Sequence, residues 1–343
     1  MSAPEHEEVL VRRGKRSGVT MAIAVHRTVA GRALGGLRMW TYESADDAVR
    51  DAERLARSMT FKAAAAGLSL GGAKAVIALP PGEVPAGRRR QDVLRDYAEL
   101  VNAFAGRYIT AQDVGTSLKD IVYLSRFTDH LSGRPLSEGG AGDPSPYPAQ
   151  GVEVGIRASL AAPLGGRHVV VIGLGHVGSE LARRLAAAGA KLTVSDSDPA
   201  KRAIAQQLGA SWVLPPQALA VQADVLAPCA LGGTLDHDSV GRLRVPVVAG
   251  AANNQLADES VADALRDRGI IWAPDFVINA GGLIAVADEL HGFERGRVEP
   301  AIEAIADTLT ETYTRAASAG TNTLTAAKQL AGERLAGATG DCR

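Results

Sequence analysis

The stretch Arg167-His168-Val169-Val170-Val171-Ile172-Gly173-Leu174-Gly175-His176-Val177-Gly178 decides the fold. Arg167 to Ile172 is a nearly unbroken apolar run, the pattern of a strand buried on both faces of a parallel sheet. Ser179 to Ala188 then reads as a helix that Gly189 ends. A second strand, Lys191 to Ser195, finishes at Asp196, about twenty residues beyond the glycines. The GxGxxG of Gly173, Gly175 and Gly178 says little alone in a chain with 38 glycines. Set between strand and helix, with an acid closing the next strand, it is a dinucleotide-binding fingerprint. Gly173 permits the tight turn, Gly175 lets the backbone approach the pyrophosphate, and Gly178 packs the helix close to the strand. With Leu174, His176 and Val177 they form the phosphate turn, where free N–H groups meet the anion. Asp196 can accept hydrogen bonds from the adenine ribose and repels a 2′-phosphate. NAD is therefore expected rather than NADP, although Lys201 and Arg202 lie nearby.

Outward from this stretch, strands at Val221 to Leu226, Val245 to Ala249 and Ile270 to Ala273 alternate with helical segments, which implies a doubly wound parallel sheet. Gly151 to Ala162 reads as a helix. The N-terminal half is α/β too. Met21 to Val29 reads as a strand, which the glycines of Gly31 to Arg38 break. Ser44 to Thr60 is a helix with apolar Ala48, Ala52, Leu55 and Met59. Gly71-Gly72 interrupts the next apolar run before a strand at Ala75 to Leu79. Gln91 to Ala105 is helical, and Tyr108 to Thr110 is a strand that ends in Ala111-Gln112-Asp113. Ser132 to Pro148, dense in Gly, Pro and Ser, suits a connector or hinge. The tail from about Glu299 is helical and is expected to pack back on the first domain. The expected division is 1–133 for substrate binding and oligomerisation, 134–315 for the Rossmann-type NAD domain, and 316–343 as the returning segment, with a cleft between the two domains.

Composition bounds the function. The length of 343 residues favours two domains, and 46% hydrophobic residues suffice for two cores. A net charge of −1 argues against nucleic-acid binding. Arg88-Arg89-Arg90 reads as a solvated loop rather than a phosphate patch. Two cysteines, Cys229 and Cys342, leave no disulfide framework. Met1 to Arg16 lacks the apolar core of a signal peptide, and no membrane span is visible, so a cytoplasmic location is expected. The seven histidines show no ligand spacing, so no metal is expected.

The substrate chemistry must come from the N-terminal half. Lys62, in Met59-Thr60-Phe61-Lys62-Ala63-Ala64, and Lys74, in Gly71-Gly72-Ala73-Lys74-Ala75-Val76-Ile77, sit among small and apolar residues. Burying an ammonium is costly, so such lysines either meet an anion, carry a lowered pKa, or reach out to solvent. Asp113, at the end of its strand, is the third candidate.

Six ordered segments carry a resemblance. They are Leu34-Gly35-Gly36-Leu37-Arg38, Gly71 to Ile77, Thr110-Ala111-Gln112-Asp113-Val114-Gly115-Thr116, Ala227-Pro228-Cys229-Ala230-Leu231-Gly232, Gly250-Ala251-Ala252-Asn253-Asn254-Gln255, and Ala273 to Gly282. Together they resemble the glutamate/leucine/phenylalanine/valine dehydrogenase family, and most nearly its leucine and valine branch. The resemblance implies oxidative deamination of an L-amino acid with NAD by a homo-oligomer. It makes Lys74 the catalytic lysine and Asp113 the proton exchanger for the substrate amino group. Lys62, with backbone at Gly35 and Gly36, becomes the binder of the substrate carboxylate. It places Asn253, Asn254 and Asn279 at the substrate amino group or the nicotinamide, and Cys229 and Ala230 as backbone along the cofactor. The implied side-chain pocket of Leu34, Met59, Ala111, Leu283 and Val286 is wholly apolar, which disfavours glutamate. Branched-chain substrates are the first expectation and aromatic ones the alternative. Two departures from the family pattern are Ala73, where Gly is frequent, and Gln112, where Glu is frequent. A 2-hydroxy-acid dehydrogenase needs a well-placed histidine, and neither His26 nor His176 is well placed. A non-catalytic NAD-binding regulator is the remaining reading.

Overall fold

The computed structural model describes residues 5–340, so Cys342 lies outside the described residues. The chain divides into two compact units. The first comprises the described residues through Asp143, Ala285–Glu294, and the chain from Ala331; the second comprises Pro144–Ile284 and Arg295–Leu330.

The first unit is built on strands β1 (Glu8–Arg13), β2 (Thr20–Arg27), β3 (Ala33–Thr41), β4 (Gly71–Leu79) and β5 (Tyr108–Gln112). Their order is β1-β2-β4-β3-β5. β1, β2 and β4 pair antiparallel, while β3 runs parallel to both β4 and β5. Helix α1 (Ala45–Ala65) starts at Ser44, whose hydroxyl accepts from the Asp47 N–H. α2 (Gly87–Asn102) and α3 (Leu118–Leu124) complete the unit's layers. One sheet face, with Ile23, Val25, Leu37, Ala75 and Ile77, packs on Val93, Leu94 and Tyr97 of α2 and Ile121 and Leu124 of α3. On the other face Ala22, Ala24 and Val76 meet Ala48, Ala52 and Ala56 of α1. The alanines allow a close approach, and at Gly72 an added Cβ would lie 2.0 Å from the Thr60 nitrogen.

Two sequence expectations are corrected here. The glycines of Gly31 to Arg38 do not end a strand. Gly35 and Gly36 sit inside β3, next to the sheet edge formed by β5. They are glycines because neighbouring chain crowds them: a Cβ on Gly35 would lie 1.7 Å from the Ala73 carbonyl oxygen. Likewise Gly71-Gly72 opens β4 rather than preceding it. Arg88-Arg89-Arg90 is not a solvated loop but the first turn of α2. Arg89 donates to Glu83 at 2.7 Å and to the Ser17 carbonyl at 2.5 Å, and Arg90 grips both oxygens of Asp120 at 2.6 and 2.7 Å. These acids offset the unfavourable meeting of cations with a helix N-terminus.

The second unit contains α4 (Pro146–Leu160) and a six-stranded sheet of β6 (His168–Ile172), β7 (Lys191–Ser195), β8 (Ser211–Trp212), β9 (Val225–Pro228), β10 (Val247–Val248) and β11 (Ile271–Trp272). The order is β11-β10-β9-β6-β7-β8 and every pair is parallel. The order reverses between β6 and β9, the kind of switch point where ligands bind such sheets. α5 (His176–Ala187) follows β6.

The tail returns to the first unit later than the 315/316 boundary. The Thr323 hydroxyl donates to the Trp272 carbonyl at 2.8 Å and Leu324 is buried in the second core, which keeps this stretch in the second unit. Beyond Ala331, Arg334 donates to the Ala65 carbonyl at 2.6 Å in the first. The break between units at Asp143 falls within Ser132 to Pro148 rather than at residue 133. That segment is not featureless. It holds a 3₁₀ turn, Leu136–Glu138, and the Glu289 carboxylate accepts from the N–H groups of Gly133, Arg134 and Ala141.

Candidate active site

In the first unit, alternation along the strands places Leu34, Gly36 and Arg38 of β3, Gly72 and Lys74 of β4, and Ile109 and Ala111 of β5 on the face that α1 covers. Asp113 follows directly. Lys74 Nζ lies 2.6 Å from Asp113 Oδ2. Lys74 is 6% exposed, so of the alternatives for a lysine in an apolar run, reaching out to solvent is not the one adopted. Burial pushes the Lys74 pKa down further than Asp113 lifts it, and Arg38 adds to the depression. Burial also works against the Asp113 carboxylate, but Lys74 and Arg38 outweigh it and hold the acid below its ordinary range.

The turn that carries Asp113 is fixed by Thr116. Its hydroxyl lies 2.9 Å from the Asp113 N–H and 3.0 Å from the Leu37 carbonyl. On the opposite face, Tyr108 donates to the Gly35 carbonyl at 2.8 Å and joins the buried hydroxyls of Tyr97 and Thr110. This network holds the glycine pair of β3 in place from behind.

Lys62 lies half-buried in the last turn of α1, one turn beyond Met59. Leu34 and Ala111 are buried. Leu283 and Val286 lie three residues apart on the helix Gly281–Asp288, hence on one side of it. The Val286 carbonyl accepts from Ser132 at 2.5 Å, and the Ser132 N–H donates to the Thr110 carbonyl of β5. The Ala73 methyl points away from Lys74 into the core shared with α2, where it is accommodated.

In the second unit, the remaining residues gather at the carboxyl ends of β6, β7, β9 and β10. Gly173 has φ +96°, and a Cβ on it would lie 2.7 Å from the Ala230 nitrogen. A Cβ on Gly178 would lie 1.9 Å from the Gly173 carbonyl oxygen, whereas Gly175 faces open space. Gly175 caps α5 without a side-chain hydrogen bond, which leaves the first-turn N–H groups, at His176 and Val177, directed outward. Asp196 accepts from the Leu174 N–H at 2.6 Å and the Asp198 N–H at 2.8 Å, so its carboxylate stays fixed at the end of β7. Arg202 lies over the Trp212 ring, 5.5 Å from its centre. Asn279 donates to the Ala251 carbonyl and to Asn253, and its own Oδ1 is buried with no partner. Asn254 has φ +51°, and its carbonyl accepts from Gly233 at 2.7 Å. These features fit NAD: space and donors for a pyrophosphate, an acid for the ribose, and a free buried acceptor at Asn279. Cys229 is half-buried, and desolvation pushes its thiol up to about 12, away from the reactive thiolate.

Comparison with known proteins agrees with this geometry. Residues 6–130 match the model of the Glu/Leu/Phe/Val dehydrogenase dimerisation domain, and residues 200–341 match that of Glutamate/Leucine/Phenylalanine/Valine dehydrogenase. The chain is 42% identical to leucine dehydrogenase of Bacillus cereus over 97% of its length and 91% of the relative's. It is 40% identical to valine dehydrogenase of Streptomyces virginiae, covering 97% of this chain and 94% of that one. The crystal structure of L-tryptophan dehydrogenase from Nostoc punctiforme superposes with a TM-score of 0.85 at 35% identity, covering 98% of this chain and 97% of that one. The chain belongs to the glutamate/leucine/phenylalanine/valine dehydrogenase family.

It is thus an NAD-dependent oxidoreductase with an α/β first domain and a parallel-sheet NAD-binding domain. Residues 153–232 also match the NAD-binding domain of D-isomer specific 2-hydroxyacid dehydrogenases. That match covers only the nucleotide half, whose fold many dehydrogenases share.

Sequence reasoning missed several residues that shape this dehydrogenase's sites. Arg38, quoted only as part of a motif, has its Nε 3.5 Å from Asp113 Oδ2. Parity along β3 with Leu34 and Gly36 is the signal that assigns its face. Gln255, fully buried, donates to the Gly250 and Ala252 carbonyls and accepts from the Trp272 indole, which fixes the loop bearing Asn253 and Asn254. Thr60 pairs with the buried His26 at 2.9 Å where α1 meets Gly72.

Proposed function

We propose that this enzyme oxidatively deaminates an apolar, branched-chain L-amino acid to the 2-oxo acid and ammonia, and runs the reverse reductive amination. The observation that carries the reading is the contact between buried Lys74 and half-buried Asp113, with a depressed ammonium beside an ionised acid. Lys62 and backbone at Gly35 and Gly36 hold the substrate carboxylate through charge-assisted hydrogen bonds. Asp113 takes a proton from the substrate amino group. Bound NAD supplies the acceptor for the hydride that leaves Cα. On the resulting imino acid, neutral Lys74 takes a proton from the attacking water and passes it to the carbinolamine nitrogen, then takes the hydroxyl proton as the C–N bond breaks, which leaves the 2-oxo acid and ammonia. Gly173 to Gly178 hold the pyrophosphate, Asp196 the adenine ribose, and Asn253, Asn254 and Asn279 the substrate amino group or nicotinamide. Ser132 to Pro148 serves as the connector about which the domains move.

The side chains assigned to the substrate side chain, Leu34, Met59, Ala111, Leu283 and Val286, are all apolar and offer no charge to a second carboxylate, so glutamate would leave an anion unpaired. The similarity to an L-tryptophan dehydrogenase supports the aromatic alternative. The first domain's match to a dimerisation domain supports a homo-oligomer, and the reading is of a cytoplasmic enzyme. Among the described residues no helix is long and apolar enough to cross a membrane. The test is formation of NADH from NAD with L-leucine, L-valine, L-isoleucine, L-phenylalanine, L-tryptophan, L-glutamate and 2-hydroxyisocaproate. Highest kcat/KM on a branched-chain amino acid supports the proposal. Turnover of the hydroxy acid alone, or binding of NAD without turnover of any amino acid, refutes it.

A further inference from the structure

The Lys74–Asp113 pair has a third member on the neighbouring strand. Arg38 of β3 directs its buried Nε at Asp113 Oδ2, the same oxygen that faces Lys74, at 3.5 Å against 2.6 Å for the ammonium. Its other arm is fixed elsewhere: the Arg38 Nη1 donates to Asp51 Oδ2 on α1 at 2.9 Å. Asp51 is in turn held by the Tyr42 hydroxyl at 2.7 Å and by Arg54 at 2.7 Å. Arg38 is therefore kept close to Asp113 but prevented from closing on it as a two-pronged pair, which would displace Lys74.

We propose that Arg38 is a positioning residue that keeps Asp113 ionised while Lys74 gives up its proton. The proposal rests on the assignment of the proton steps to Lys74 and Asp113 made above. The chemistry requires such a group. A buried ammonium and carboxylate in contact stabilise each other only while both are charged. Without a further cation, neutral Lys74 would leave the buried Asp113 Oδ2 with no counter-charge, and the carboxylate would take up a proton and cease to accept one from the substrate amino group. A guanidinium stays charged throughout, so its field on Asp113 is constant across the cycle. The same field favours loss of the Lys74 proton. The charged and titratable groups around the pair are Arg38 on β3, Asp51 and Arg54 on α1, the Tyr42 hydroxyl after β3, and the Tyr108 hydroxyl on β5. Among the described residues, Arg38 and Lys74 are the cations within 4 Å of Asp113, and of the two Arg38 keeps its charge throughout.

The sign of the effect follows. Removing Arg38 removes positive charge, so both partners hold protons more tightly and the acidic limb of the pH–rate profile moves to higher pH. Removing the Asp51 charge moves it the other way. The experiment measures the pH dependence of kcat/KM with L-leucine and NAD for wild type, Arg38→Gln, Arg38→Lys and Asp51→Asn. In parallel, the pH dependence of Lys74 acylation is read by peptide mass spectrometry below each variant's melting temperature. Arg38→Gln should shift the acidic limb and the acylation midpoint upward by roughly one pH unit. Asp51→Asn should shift both downward, and Arg38→Lys should stay near wild type in position though with a lower rate. A merely structural Arg38 predicts lower rates or melting temperatures with both midpoints unmoved, and that outcome overturns the proposal. Absence of turnover in wild type counts against the proposed function alone, because the acylation midpoints still decide the role of Arg38.

Discussion

Lys74 and Asp113 reach each other across an intervening strand: β3 lies between β4 and β5, and the 2.6 Å contact passes over Gly36. A side chain at Gly36 has no room there, since its Cβ would lie 2.9 Å from both Asp113 Cβ and the Gln112 carbonyl oxygen. The absence of a side chain on one strand thus creates the ion pair between the two beside it.

Gly36→Ala should push Asp113 away from Lys74 with only moderate loss of stability, because Asp113 sits at a turn that can shift. A displacement of this size costs on the order of 100-fold in kcat/KM. Gly35→Ala is different, since its Cβ meets β4 backbone at 1.7 Å, and it should fail to give a stable fold. Turnover together with thermal melts separates the two. Equal melting temperatures and wild-type turnover in Gly36→Ala would show that the pair does not depend on that gap.

The fingerprint glycines should separate in the same way. Gly175 faces open space and Gly178 faces the Gly173 carbonyl oxygen at 1.9 Å. Gly175→Ala should melt like wild type in the absence of NAD yet bind NAD at least about tenfold more weakly, a change of about 1.4 kcal/mol. Gly178→Ala should be strongly destabilised with or without cofactor. Calorimetric titration with NAD and thermal melts test both halves, and tight NAD binding by Gly175→Ala would contradict the phosphate assignment.

Most of the second sheet was readable because its strands are continuous apolar runs, and β7 occupies the residues expected of it, Lys191–Ser195; the two-residue β8, Ser211–Trp212, carries no such run and was not expected. The first sheet was harder. β3 carries two glycines whose reason is the approach of Ala73 and Asp113, far away in sequence, so local propensity pointed to a break. Arg88 to Arg90 looked solvated because their acids, Glu83 and Asp120, sit on other segments. Lys74 and Asp113 stood out as charges in apolar or strand-end settings. Arg38, Asp51 and Gln255 did not, since their partners come from tertiary folding alone. The return of the chain at Ala331 was blurred because the helix Thr323–Gly340 belongs partly to each unit and bears no break in its pattern.

His26 predicts a pH dependence of stability. It is buried against Thr60, and burial, aided by Arg27 and His6, lowers its pKa from 6.5 to about 4. The unfolded chain binds this proton at a higher pH than the folded one. Its contribution to stability is therefore complete above about 6.5 and is lost as the pH falls through about 4. His26→Gln should flatten the stability profile across that interval. Denaturant midpoints measured across it give the slope, and an unchanged slope would mean that His26 is not the titrating group.

The most direct test of the central claim compares Lys74→Ala with wild type in steady-state oxidation of L-leucine by NAD, with NAD affinity measured alongside. The account predicts that turnover falls by on the order of 10³-fold or more while NAD binding stays near wild type, because a proton-transfer group is lost and the second unit is untouched. Turnover within a few-fold of wild type in Lys74→Ala would contradict it.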